Sequence, residues 1–130
     1  FIDTGAFLAI SDKSDTYHKI AASAYQKIVD QKAFLYTSNY VIDETITLIR
    51  VRVSHTAAVA FIKNFEVSNI KVLRVAEKEE RMAKKIFIRY KDKRFSFTDC
   101  TSQAIIDLAQ MRHIATFDKL FEKLDVEVIK

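Results

Sequence analysis

Four acidic residues spread along the chain, Asp3, Glu44, Asp99 and Asp118, stand where side chains could gather round a hard metal ion. Asp3 ends the opening apolar pair Phe1-Ile2, and Asp118 directly follows the run His113-Ile114-Ala115-Thr116-Phe117. Asp99 opens the helical segment that leads into that run. Glu44 lies in the second turn of a helix that starts after Thr37, and Tyr40, Val41 and Leu48, three and four residues away, place it on an apolar face that a surface acid would avoid. Ligands of open parallel sheets bind beyond the carboxyl ends of the strands, so all four acids can point into one cleft. Carboxylates packed together repel one another unless some are protonated or a cation compensates them. Oxygen ligands without a histidine or thiol pair favour Mg²⁺ or Mn²⁺ over zinc. Such an ion can activate a water molecule and neutralise charge on a phosphate, and two ions about 4 Å apart would do both, which makes phosphodiester hydrolysis the reaction this set suits best.

The elements that must position these acids alternate along the chain. Ile20, Ala21, Ala24, Tyr25 and Ile28 form a helical stripe between about Asp15 and Gln31. Ala33 to Thr37 reads as a short strand, and Ser38 or Asn39 can cap a helix running from Tyr40 to Val53. A helix over Thr56 to Phe65 precedes a strand over Ile70 to Val75, and Ala76 to Tyr90 then reads as helix. Ser96 or Thr98 can cap a further helix reaching Met111, followed by the His113 to Phe117 strand, a helical turn over Asp118 to Leu124, and a last strand over Val126 to Ile129. Strands separated by helices run parallel in most cases. The expected architecture is therefore α/β, a three-layer α/β/α sandwich on a mainly parallel central sheet, in one domain over residues 1–130. Because the numbering opens at Phe1, without a methionine and already inside an apolar segment, a few residues of the first strand are expected to lie outside it.

Composition narrows the function classes. Apolar residues make up 49% of the chain, enough for a real core, and no apolar run approaches the length of a membrane span. The single cysteine, Cys100, excludes an internal disulfide and cysteine-rich metal sites, and fits a reducing cytosol. His18, His55 and His113 have no metal-ligand spacing. One glycine and no proline exclude a glycine-rich phosphate cradle. A net charge of +4 makes a polyanionic partner plausible without deciding for one, and Lys84, Lys85, Arg89, Lys91, Lys93 and Arg94 could hold backbone phosphates.

At the four acids the sequence resembles the PIN-domain nucleases. Phe1-Ile2-Asp3-Thr4-Gly5-Ala6-Phe7-Leu8, Ser38-Asn39-Tyr40-Val41-Ile42-Asp43-Glu44, Phe97-Thr98-Asp99-Cys100 and Ala115-Thr116-Phe117-Asp118-Lys119-Leu120-Phe121 match that family's four acidic motifs in order, across nearly the whole chain. The resemblance implies single-stranded RNA as substrate, metal-activated water as nucleophile, Mg²⁺ or Mn²⁺ as cofactor, and Asp3, Glu44, Asp99 and Asp118 as its ligands. Thr116 matches a hydroxyl position of the fourth motif, which implies that it orients a ligand carboxylate. In size the chain most resembles the VapC-like toxins of prokaryotic toxin-antitoxin pairs. That likeness implies a cytoplasmic homodimer held inactive by a small antitoxin.

Taken singly, each acid has a plainer reading. Asp99 and Asp118 suit helix N-termini, Asp3 before Thr4-Gly5 suits an Asx turn, and Glu44 would turn outward beside Asp43 if the helix phase were different. Gly5 allows a turn or a close backbone approach, Cys100 suits packing, and Asp107 suits a solvent-facing position. Two other functions compete with the nuclease. An aspartate-based phosphatase or phosphotransferase would use Asp3 as nucleophile, but its usual second acid two residues on is replaced by Gly5. A non-catalytic partner-binding module would keep the fold with vestigial acids.

Overall fold

Helices and short strands alternate in the computed structural model, which describes residues 1–91, 94–124 and 126–130. The elements are α1 (Thr4–Ser11), α2 (His18–Asp30), β1 (Tyr36–Ser38), α3 (Asn39–Arg52), α4 (His55–Glu66), β2 (Lys71–Leu73), α5 (Glu77–Arg89), α6 (Phe97–Leu108), β3 (His113–Ala115), a 3-10 turn (Phe121–Lys123) and β4 (Glu127–Ile129). β1 pairs in parallel with β2, and β3 with β4. The Phe1-Ile2-Asp3 segment ties the two pairs together. Ile2 N donates to Tyr36 O at 2.8 Å on one side; on the other, Asp3 N donates to Ala115 O at 3.0 Å and Ala115 N to Phe1 O at 2.8 Å. The order across the sheet is β2, β1, the opening segment, β3, β4.

Side chains alternate across a strand, and here the alternation defines the layers. Phe1, Ile114 and Val128 pack with Ile106 of α6 and Phe121. Ile2, Ala115 and Ile129 point the other way, into an apolar space closed by Ala6 of α1 and by Ala21, Ala24 and Ile28 of α2. Helices thus cover both faces, as the α/β/α reading expected. α5 docks on α6 through the small residues Ala83, Cys100 and Ala104, which let the two helix backbones approach closely. Among the described residues no helix is long and apolar enough to cross a membrane.

Helix α1 was not expected from the sequence. Its residues TGAFLAIS are apolar nearly all round, and Thr4, Ala6, Phe7 and Ala9 are buried. A helix buried on most sides carries no polar stripe by which to recognise it. The expected helix ends also moved. α2 begins at His18 rather than Asp15, and α6 stops at Leu108, short of Met111. Both helices close on a left-handed residue that is not glycine, Lys32 and Gln110, each with φ of 53°. At α6, Gln110 N bonds to Asp107 O and Met111 N to Ile106 O; at α2, Lys32 N bonds to Val29 O and Ala33 N to Ile28 O. These are the paired bonds of a Schellman ending. A chain with one glycine makes this ending with ordinary side chains, at a cost of about 1–2 kcal/mol per residue.

Candidate active site

Each of the four acids is positioned by a different element. Asp3 ends the opening strand segment and precedes α1; it is 2% exposed. Thr116, one residue beyond β3 and fully buried, donates its hydroxyl to Asp3 Oδ2 at 3.0 Å and accepts the Asp118 amide at 3.0 Å. A single hydroxyl therefore couples the Asp3 carboxylate to the backbone carrying Asp118. Thr116→Val, of the same shape, should leave both groups without this partner and lower metal affinity and turnover by about 10- to 100-fold. Calorimetric Mn²⁺ titration beside steady-state kinetics checks this.

Glu44 reaches the same place from α3. The helix starts at Ser38, whose Oγ accepts the Val41 amide at 3.1 Å, and its buried residues Val41, Thr45 and Ile49 set the phase. Half-buried Glu44 then accepts the Thr4 hydroxyl at 2.7 Å, while Asp43 beside it is exposed. Sequence reasoning gave Thr4 no role. The only available signal was a hydroxyl directly after the candidate ligand Asp3.

Asp99 and Asp118 keep their plain local roles as well. Asp99 forms a reciprocal capping box at the start of α6: Ser96 N donates to Asp99 Oδ2 at 2.7 Å, and Asp99 N to Ser96 Oγ at 3.1 Å. Asp118 Oδ1 accepts the Leu120 amide at 2.8 Å in an Asx turn that leads into the 3-10 turn. Capping and clustering are compatible, because a carboxylate has two oxygens and more lone pairs than one cap consumes.

Electrostatics link the four. Burial, followed by the charge of Asp99, raises the Asp3 carboxyl to about 7. The bond from Thr116 and the nearby amides of Thr4 and Gly5 pull it back down, although Asp3 makes no side-chain capping bond to α1. Asp99 is raised to about 6, first by burial; the Ser96 bonds oppose this, and the charges of Asp118 and Glu44 add to it. Asp118 and Glu44 are thus within electrostatic reach of Asp99, and Asp99 within reach of Asp3.

The residues fit a hard divalent cation. Among the described residues Asp3 Oδ1 is buried without a hydrogen-bond partner, an arrangement that is costly for a carboxylate oxygen unless a cation meets it. The side chains of Asp3, Glu44, Asp99, Asp118, Thr4 and Thr116 offer carboxylate and hydroxyl oxygens, the chemistry that Mg²⁺ and Mn²⁺ prefer. Among the described residues, however, no three carboxylates, histidines or cysteines are drawn up as a finished ligand set. One oxygen of each of Glu44, Asp99 and Asp118 is engaged by Thr4, Ser96 and Leu120 respectively.

The remaining sequence expectations resolve as follows. A β-carbon on Gly5 would meet Phe117 N at 3.7 Å and Asp3 Oδ2 and Thr116 Oγ1 at 3.9 Å, ordinary contacts, so the glycine sits against the site without being sterically compelled. Cys100 is buried in packing, and burial pushes its thiol up to about 11, far from a nucleophile. Asp107 is exposed and accepts from Gln103 Nε2 at 2.6 Å. Lys84, Lys85, Arg89, Lys91 and Arg94 are exposed, while Lys93 lies outside the described residues.

The chain is similar to known proteins. The 23S rRNA-specific endonuclease VapC20 of Mycobacterium tuberculosis is 29% identical over 118 residues, covering 91% of this chain and 88% of that protein. A VapC ribonuclease of Archaeoglobus fulgidus is 28% identical over 123 residues, covering 92% and 77%. The crystal structure of M. tuberculosis VapC20, described as a Sarcin-Ricin loop cleaving toxin, superposes with a TM-score of 0.84 at 28% identity, covering 97% of both chains. The profile of the PIN domain matches residues 1–127, a span that contains all four acids, and the chain belongs to the PIN domain family.

Proposed function

We propose that the chain is a metal-dependent endoribonuclease that hydrolyses phosphodiester bonds of single-stranded RNA, with Asp3, Glu44, Asp99 and Asp118 as ligands of Mg²⁺ or Mn²⁺. The observation that carries this reading is the buried Asp3 Oδ1, which has no hydrogen-bond partner among the described residues, with Asp99 near enough to raise the Asp3 carboxyl and Asp118 and Glu44 near enough to raise Asp99. When bound, the ion supplies positive charge to the scissile phosphate and makes a water molecule acidic enough to attack it. The chain's own residues do the rest. Thr116 holds Asp3 in orientation, Thr4 holds Glu44 toward the same cleft, and Ser96 fixes the helix start that presents Asp99. Exposed Lys84, Lys85, Arg89, Lys91 and Arg94 offer charge to the backbone of a polyanion.

Likeness to VapC ribonucleases over more than nine-tenths of the chain supports the further reading as the toxin of a toxin-antitoxin pair. With it come a single PIN-like domain over residues 1–130, a homodimer, a small antitoxin partner and a cytoplasmic location. Exposed Phe34, Val51, Phe87 and Ile88 provide apolar surface for such partners. The test is incubation of the purified protein with a panel of single-stranded RNAs and ribosomal RNA loops in Mg²⁺, Mn²⁺ or EDTA, beside Asp99→Ala. Cleavage should need the metal and Asp99. Cleavage indifferent to EDTA and to the substitution would defeat the assignment.

A further inference from the structure

An aromatic pair that the proposed chemistry does not use includes Phe117, the residue just before Asp118. Tyr17 and Phe117 stack face to face, with ring centroids 4.9 Å apart and an interplanar angle of 14°. Phe117 is anchored from below, where it lines the apolar space between sheet and helices with Ile2, Ala6, Ile10 and Ala115. Tyr17 lies over it and remains 44% exposed. Its backbone is pinned on both sides: the Tyr17 amide donates to Asp15 Oδ1 at 2.7 Å, and its carbonyl accepts from Ala21 N at 2.8 Å. His18 Nδ1 lies 2.8 Å from Ala9 O, which ties this corner to α1. The ring is thus held in place, not left to wander on a loop.

Its location is what makes the pair informative. Phe117 stands in the chain between Thr116, which holds Asp3, and Asp118. Its amide and Asp3 Oδ2 both lie within 4 Å of a single point, the β-carbon position of Gly5. Lys19 and Lys119, two residues after Tyr17 and one after Asp118 in the chain, are exposed. A strand whose phosphate sat over the acids would bring a neighbouring base to a rigid, already stacked aromatic surface. Every base has a π face, so such a surface adds affinity with little regard to base identity.

We propose that Tyr17, backed by Phe117, is a stacking platform for the nucleobase next to the scissile phosphate of a single-stranded RNA. This rests on the ribonuclease reading above. Tyr17→Ala should raise KM by about 5- to 100-fold, the range expected for losing one stacked base, with most of the effect absent from kcat. Tyr17→Phe should restore the wild-type KM, whereas Tyr17→Leu, which covers Phe117 without a π face, should not. The chain has no tryptophan, so Tyr17→Trp provides a single reporter. In a Tyr17→Trp, Asp99→Asn protein, uncleaved RNA should quench the indole fluorescence, and RNA with an abasic nucleotide beside the cleavage position should bind without quenching. RNA binding seen by anisotropy with no quenching, or a Tyr17→Leu protein with the wild-type KM, would overturn the platform while leaving the nuclease intact. Failure of the wild-type protein to bind or cleave any RNA would remove the ribonuclease reading, and the platform with it.

Discussion

Asp3→Asn is expected to abolish RNA cleavage and, in the same protein, to raise the melting temperature measured in EDTA at pH 8. The first effect follows from losing a charged ligand. Charge stabilisation by a catalytic ion is worth several kcal/mol, and each ~1.4 kcal/mol is tenfold in rate, so turnover should fall on the order of 10³-fold or more. The second effect follows from burial. The Asp3 carboxyl, 2% exposed and facing Asp99, is raised to about 7, so at pH 8 its ionised form is held against an unfavourable environment. An asparagine keeps an oxygen for the Thr116 hydroxyl and turns an amide donor toward the remaining carboxylates, which removes the repulsion at no cost in shape. A net gain of about 1–2 kcal/mol would appear as a rise of several degrees. Equal melting temperatures for the two proteins would mean that Asp3 is not electrostatically strained; a lower one for the variant would mean that its charge is satisfied within the protein.

Much of this site was legible from local pattern, and particular residues show why. Asp118 was placed by the run His113 to Phe117, whose β3 pairing ends at Ala115 and leaves Thr116, Phe117 and Asp118 beyond the strand's carboxyl end. Glu44 was placed by helix phase, from Tyr40, Val41 and Leu48 on its side of the helix, and in the structure it is half-buried while Asp43 is exposed. Both inferences use the periodicities of 2 and 3.6 that strands and helices impose on burial. α1 escaped because it is apolar on nearly every side, and the ends of α2 and α6 escaped because Lys32 and Gln110 adopt a conformation usually advertised by glycine. What no periodicity could supply was the bonding between distant segments. The Thr4 to Glu44 and Thr116 to Asp3 bonds join residues 40 and 113 positions apart. Only the assembled sheet brings them together, so Thr116 was identified through a family motif and Thr4 was not identified at all.

In the absence of metal the protein is expected to become less stable as the pH rises from about 4 to 7, and Mn²⁺ should cancel that slope. The Asp3 carboxyl titrates near 3.8 in an unfolded chain and at about 7 in the folded one, so between those limits the folded state holds a proton that the unfolded state has released. Its contribution to stability is fully present below about pH 4 and is lost as the pH climbs through 7. Asp99, raised to about 6, acts in the same direction over a narrower window. Three pH units at roughly 1.4 kcal/mol each give a contribution on the order of 4 kcal/mol from Asp3. Protonating either acid relieves the other, so Asp99 adds only part of its own share. A divalent cation replaces the proton as the compensating charge: at 100 times its dissociation constant it should restore about 2.7 kcal/mol at neutral pH. Below pH 6 it should do progressively less, because protons then compete for the same oxygens. Urea unfolding at pH 5, 6, 7 and 8, in EDTA and in Mn²⁺, with wild-type and Asp3→Asn proteins, reads all of this. Metal-free stability that rises from pH 5 to 8, or a slope that Mn²⁺ leaves unchanged, would show that the four carboxylates do not share a field, and the metal site inferred from them would fall.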